Sequence, residues 1–319
     1  MIKFPYEKAK LETVTCNFCG ESNFKILSEQ GQDNLRLRSV ICRNCGLIFI
    51  NPRMTAEWYF KYYQDEYRSK TVEGDKRAMR DKEIIFRELF ANGYRHGLLL
   101  AELIKPRLGG AGTILEVGSG VGGVLSGLKE KLKWEVLGIE PSKPETDYAE
   151  KKGIKTFNLL MEEVNKKAPS LSGFSVIVCT QSLNHFLDPA FFLRWSRQHL
   201  VADGLLVLEV MNFRHQLKKA GFYKNAVKID HPYMFTPETL ANFVQTTGFE
   251  ILYFDTDEKR GSSNSGLPDT HIRLIARRTE QLPTSVSTHS LSKFDLFKLS
   301  PFVIYCYYFW FYRLRFSEF

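Results

Sequence analysis

Four cysteines near the N-terminus stand in two pairs, Cys16-Asn-Phe-Cys19-Gly and Cys42-Arg-Asn-Cys45-Gly, with 22 residues between the pairs. Thiolates separated by two residues on a turn approach one ion from the same side, and Gly20 and Gly46 permit the backbone that such a knuckle needs. Two knuckles close an all-sulfur tetrahedron, so Cys16, Cys19, Cys42 and Cys45 are expected to hold structural zinc with no coordination position left for chemistry. Disulfides are the competing reading. The N-terminus, MIKFPYEKAKLETV, has no apolar core of the kind an export signal carries, which places the chain in a reducing cytoplasm where structural disulfides are rare. Cys179 and Cys306 are left over as buried thiols.

A second constellation is Ile114-Leu115-Glu116-Val117-Gly118-Ser119-Gly120-Val121-Gly122-Gly123, a glycine loop at the junction of a strand and a helix. Read through Gly118, Gly120 and Gly123 it is a GxGxxG, which alone fits a dinucleotide. Glu116 discriminates. Two places before the first glycine, its carboxylate lies at the strand's carboxyl end, where open α/β sheets bind ligands. It would repel a pyrophosphate and favours the ammonium and sulfonium of S-adenosylmethionine. Glu140, 24 residues on in Leu137-Gly138-Ile139-Glu140-Pro141-Ser142, suits two ribose hydroxyls, a role that nicotinamide and methyl-donor enzymes share. In Asn158-Leu159-Leu160-Met161-Glu162, Leu160 or Met161 fits equally against adenine or in the core. The expected cofactor residues are Glu116, Gly118, Ser119, Gly120, Gly122, Glu140, Pro141, Leu160 and Met161.

The elements that must position these residues follow from periodicity. From Trp58 to Lys105 apolar residues recur at spacings of three and four, predicting two or more helices that pack the zinc module on the next domain or, through the aromatics at 58 to 67, form a lid. Residues 112 to 280 alternate strands at Thr113 to Val117, Glu135 to Ile139, Ser175 to Cys179 and Leu205 to Val210 with helices near 121 to 132, 143 to 152 and 189 to 200. A helix at 237 to 247 and strands at Glu250 to Asp255 and His271 to Ala276 follow, the last two joined by a Gly/Ser-rich loop at 260 to 268 as an antiparallel hairpin. The fold class is α/β, a parallel sheet covered on both faces. The expected organisation is a zinc-binding module at 11–50, a helical connector or lid at 51–111, the catalytic domain at 112–280, and a linker with an aromatic tail at 281–319.

A chain of 319 residues with 44% apolar content and no run of about 20 apolar residues excludes disorder and a polytopic membrane protein. The formal charge of +8 falls to +6 once four thiolates on one zinc ion are counted as −2, so composition argues only weakly for a nucleic-acid partner. Of the 14 uncharged residues at 299–312, eight are aromatic, and Arg313 and Arg315 follow. That run is too short to span a bilayer and suits peripheral contact at a headgroup interface; packing on the domain or self-association is the competing reading.

Over residues 14 to 280 the sequence resembles class I S-adenosylmethionine-dependent methyltransferases with an N-terminal zinc-binding module. The knuckles carry the resemblance, with Cys45-Gly46-Leu47-Ile48-Phe49-Ile50-Asn51-Pro52-Arg53, the loop from Glu116 to Gly122, Glu140-Pro141-Ser142, and Ser182-Leu183-Asn184-His185-Phe186-Leu187-Asp188-Pro189. It implies a Rossmann-like seven-stranded sheet with its final strand antiparallel, and further cofactor contacts at Thr180, Gln181 and Ser182 after the fourth strand. Ile229-Asp230-His231-Pro232-Tyr233-Met234-Phe235 is similar, over a short stretch, to a segment of zinc-containing sugar C-methyltransferases in which a histidine and a nearby tyrosine are implicated in proton abstraction. Those enzymes carry a further large C-terminal domain, whereas here 39 residues follow position 280.

Methyl transfer is an in-line displacement whose donor already bears positive charge, so alignment and exclusion of water supply much of the catalysis. A base matters only when the acceptor must lose a proton. His231, Tyr233 and His185 are the candidates, with hydrogen-bonded loop and capping roles as the alternatives for the histidines. The expected function is methyl transfer to O, C or N of a sugar, glycan precursor or related metabolite. An RNA methyltransferase and a non-catalytic zinc scaffold or membrane-associated protein with a vestigial pocket are the competing readings. The RNA reading lacks an Asn-Pro-Pro-aromatic motif and a dense basic stripe.

Overall fold

The computed structural model describes residues 4–65, 82–221, 223–256 and 271–280. The end of the aromatic stretch at 66–67, the loop at 260–268, the tail at 281–319 and Cys306 lie outside the described residues.

The N-terminal part holds five short strands: β1 (Leu11–Glu12), β2 (Phe24–Ser28), β3 (Ser39–Cys42), β4 (Ile48–Ile50) and β5 (Arg53–Met54). Helices α1 (Ala56–Asp65) and α2 (Lys82–Ile104) follow, matching the helical periodicity. The α/β part then runs β6 (Thr113–Val117), α3 (Gly123–Leu132), β7 (Glu135–Ile139), α4 (Lys143–Lys151), β8 (Thr156–Phe157), α5 (Val164–Lys167), β9 (Phe174–Thr180), α6 (Pro189–His199) and β10 (Leu200–Met211). It closes with α7 (Phe213–Ala220), α8 (Tyr223–Ala226), β11 (Tyr233–Met234), α9 (Pro237–Thr246), β12 (Phe249–Thr256) and β13 (His271–Arg278).

Seven strands form the central sheet in the order β12-β13-β10-β9-β6-β7-β8. The five from β10 to β8 are parallel, while β13 lies antiparallel between β10 and β12. The chain order reverses between β6 and β9, so the crevice at the carboxyl ends of these strands is the topological switch point. Strand β8, two residues long, is too short to leave a periodic signal.

Alternate residues of the strands feed two cores. Leu115, Val117, Ile177, Leu206 and Leu208 face one side, with α6, α9 and the knuckle residues Cys16, Cys42 and Cys45 in the same apolar cluster. Ile114, Val176, Val178 and Val207 face the other side, against α2 and α3. There the helices meet at glycines. A Cβ on Gly97 would stand 2.2 Å from the Val124 carbonyl oxygen, and one on Gly127 2.3 Å from that of Tyr94. Two helix starts are locally encoded: Asp188 accepts the Phe191 N–H at 2.8 Å ahead of Pro189, and Thr236 caps α9 ahead of Pro237.

Strand β11 leaves the central sheet and pairs with β4, giving a second sheet of order β11-β4-β3-β2. The knuckle module is thereby joined to the segment that carries His231. Asn17 adds a side-chain bond to Asp188 Oδ1 at 2.9 Å and accepts the Ala190 N–H at 2.8 Å, while Phe18 stacks on Phe243 at 4.6 Å. No helix among the described residues is long and apolar enough to cross a membrane.

Candidate active site

Glycine at 118 is required by geometry. Its φ is +78°, and a Cβ there would stand 2.2 Å from Ser182 Oγ. This contact brings the turn after β9 against the glycine loop. That turn is held by Gln181, a left-handed residue with φ 55° whose N–H donates to the Glu209 carbonyl oxygen at 2.7 Å. Ser182 therefore meets the loop at Gly118, Thr180 reaches Glu116, and Gln181 is exposed. At Gly120 a Cβ would find nothing closer than 3.9 Å, so this side of the loop is open.

Glu116 is buried beneath the loop. Thr180 Oγ1 donates to its Oε1 at 2.8 Å, and Oε2 has no hydrogen-bond partner. Burial, reinforced by the Glu209 and Glu140 carboxylates, pushes its carboxyl up to about 8 against the Thr180 hydrogen bond. A buried carboxylate oxygen without a partner beside an open glycine loop is a receptor for positive charge. Ser119 Oγ is likewise buried without a partner. Glu140, at the end of β7, accepts the N–H groups of Gly120 at 2.9 Å and Ser142 at 2.8 Å, which ties the loop to the next crossover at Pro141. Met161 is buried, and Leu160 is half-buried.

On the same sheet face Glu209 lies fully buried between Arg273 Nε and His96 Nε2, the latter at 2.7 Å. Burial alone would raise its carboxyl, but His96 and Arg273 hold it below the usual range, so the α2 face carries a paired charge beside the unpaired Glu116.

A second group of polar residues lies one turn beyond Ser182. His185 ends the 3-10 turn Leu183–His185, and its Nδ1 is 3.1 Å from the hydroxyl of Tyr63 on α1. The same hydroxyl donates to the Asp230 carbonyl oxygen at 3.3 Å. The His185 and His231 rings meet edge to face with centroids 4.7 Å apart. Burial pushes the His231 imidazole down to about 3, against the pull of Asp230, so it is neutral at pH 7. Burial also opposes ionisation of Asp230, yet His231, His185 and Lys228 hold its carboxyl below the usual range.

Tyr233 is engaged differently. Its hydroxyl accepts from Arg53 Nη1 at 3.1 Å and donates to the Leu187 carbonyl oxygen at 3.4 Å, and burial pushes it up to about 12. Arg53 also binds Leu187 O at 2.8 Å and Glu12 at 2.9 Å. Tyr63 is the residue whose place at the histidines no motif indicated; its signal in the sequence was the run of aromatic residues at 58 to 67.

A family model described as a methyltransferase domain matches residues 86–253, more than half of the chain. The chain belongs to that methyltransferase family. No curated protein matches the methyltransferase sequence. Among solved structures it is similar to the plantazolicin methyltransferase BamL in complex with a triazolic desmethylPZN analog and SAH, at 11% identity and TM-score 0.51, over 69% of this chain and 94% of that one. It is also similar to an S-adenosylmethionine-dependent methyltransferase from Clostridium acetobutylicum, at 13% identity and TM-score 0.46, over 69% and 99% of the two chains. At such identities the BamL likeness shows the fold.

The methyltransferase's glycine loop fits S-adenosylmethionine on its own chemistry, because the partnerless Glu116 oxygen meets the need of a cationic ligand. When bound, the cofactor supplies an activated methyl group. The four cysteines fit zinc. Their sulfurs lie within 4.8 Å of one another, with Cys16 to Cys45 at 3.4 Å and Cys19 to Cys42 at 3.5 Å. Tetrahedral Zn–S bonds of about 2.3 Å require sulfurs roughly 3.8 Å apart, and disulfide bonds would be about 2.05 Å. Gly20 and Gly46, both at φ +77°, donate to the carbonyl oxygens of Cys16 and Cys42 and close the two knuckles. All four sulfurs would hold the ion, leaving its role structural.

Proposed function

We propose that this methyltransferase acts on a small molecule, a sugar, glycan precursor or related metabolite, held over the carboxyl ends of β9 and β10. The observation that carries the reading is the partly buried cluster of Tyr63, His185, Asp230 and His231 one turn beyond Ser182, a convergence of polar groups rather than a basic surface. A compact acceptor with a few polar groups suits such a cluster. BamL, whose structure holds a natural-product analog and SAH, is a precedent for a small acceptor on this fold.

In this reading Glu116, Gly118, Ser119, Gly120 and Gly122 hold the methionine end and the sulfonium. Glu140 and Pro141 hold the ribose, Leu160 and Met161 flank adenine, and Thr180 to Ser182 close the pocket. His185 and His231 face the acceptor. A neutral His231 whose imidazole protonates only near pH 3 accepts hydrogen bonds readily and takes up a proton poorly. His231 thus serves the acceptor site as a lone-pair donor rather than as a base, and Tyr233 supports the site through Arg53.

Incubation with labelled methyl donor and separate pools of nucleotide sugars, lipid-linked glycans and RNA tests the acceptor class. Label in the sugar or glycan pools supports the reading, and label in RNA alone replaces it. His231→Gln that retains full turnover with the true acceptor would remove His231 from the acceptor site.

A further inference from the structure

We propose that His185, Asp230 and His231 bind a divalent cation, zinc foremost, in a centre separate from the four cysteines. One ligand atom from each residue lies within 4.8 Å of the other two. Nitrogen and oxygen ligands of zinc, at about 2.0–2.2 Å from the ion, stand roughly 3–3.5 Å apart, so a small contraction seats it. A hydrogen-bonded His–Asp pair closes to about 2.7–3.2 Å. His231 Nε2 and Asp230 Oδ2 instead stand 3.9 Å apart, a gap that a shared ion would bridge. Tyr63 orients the His185 ring from α1, as outer partners of metal-bound imidazoles do.

Two imidazoles and one carboxylate are the donor set of catalytic rather than structural zinc, with coordination positions left over. His185 and Asp230 are partly exposed, so those positions are reachable. The role of the ion rests on the small-molecule reading above: beside Ser182 it would polarise an oxygen of the acceptor. The site itself stands on the ligand set.

Metal-stripped full-length protein titrated with Co2+ tests this. The cysteine site gives intense thiolate-to-metal absorption, whereas the second centre adds weak visible bands and a second bound equivalent. Asp230→Asn and His231→Ala should each lose that second equivalent while keeping the thiolate band and S-adenosylhomocysteine binding. Because buried substitutions can disturb folding, anomalous diffraction at the zinc edge from wild-type crystals soaked in zinc chloride gives an independent answer. A peak among the three side chains supports the site. Peaks at the cysteines alone, or a second equivalent that survives both substitutions, overturn it. Methyl transfer without a second equivalent would remove the metal and keep the function, and metal binding without transfer to any small-molecule pool would do the reverse.

Discussion

Replacing Glu116 with glutamine should abolish a pH dependence of cofactor binding that the wild-type protein must show. In the free protein the Glu116 carboxyl protonates near pH 8, chiefly because it is buried. Roughly one molecule in ten is then ionised at pH 7 and about one in a hundred at pH 6, and apparent affinity scales with the competent fraction. A cationic ligand selects the ionised form and expels the proton. Affinity therefore rises with pH, about tenfold or 1.4 kcal/mol per unit, and levels off above pH 8. The clean window is about pH 5.5 to 7.5, because the cofactor's own α-amino group loses charge near 7.7–8.0. Calorimetry with S-adenosylmethionine in buffers of different ionisation heat reads both the slope and the proton released. Wild type should release close to one proton per site at pH 6, and Glu116→Gln should release none and show a flat profile. A flat wild-type profile, or a slope retained in Glu116→Gln, would refute the electrostatic assignment.

Gly118→Ala places a Cβ 2.2 Å from Ser182 Oγ at φ +78°. Left-handed strain alone costs about 1–2 kcal/mol, so cofactor affinity and melting temperature should both fall, and Ser182→Gly in the same chain should restore part of the loss. Wild-type calorimetry from the single variant would contradict the packing. Stripping zinc, or Cys42→Ser, should loosen β11 along with the knuckles because Tyr233 and Met234 pair with Phe49 and Ile48; hydrogen exchange at 233–234 that stays slow would separate the two. Arg273→Met leaves the buried Glu209 without its arginine, and breaking such a pair costs about 3–5 kcal/mol. Chemical denaturation showing under 1 kcal/mol of loss would mean that His96 alone satisfies Glu209.

The sheet was legible because most of its long strands are compact apolar runs and some helix starts carry their own cap, as with Asp188-Pro189 and Thr236-Pro237. Strands β8 and β11 were not, since two residues carry no period and their pairing is set by distant partners. The Glu116 loop and the four cysteines were readable because their chemistry is local: a carboxylate before glycines, and thiols on tight turns. The motif at 45–53 was visible, but its work was not. Asn51 bonds the Val14 backbone at 3.1 and 3.0 Å, and Arg53 reaches Leu187 and Tyr233, contacts that only the folded chain brings together. Tyr63 joined the histidines for the same reason, across 122 residues of sequence.

The crevice at the carboxyl ends of β6 and β7 is most directly tested by diffraction from crystals soaked in S-adenosylhomocysteine and NADH together. Density for the homocysteine nucleoside, with its ammonium toward Glu116 and its ribose on Glu140, is the expected result. NADH in that crevice, with its pyrophosphate over the glycine loop, would contradict the account.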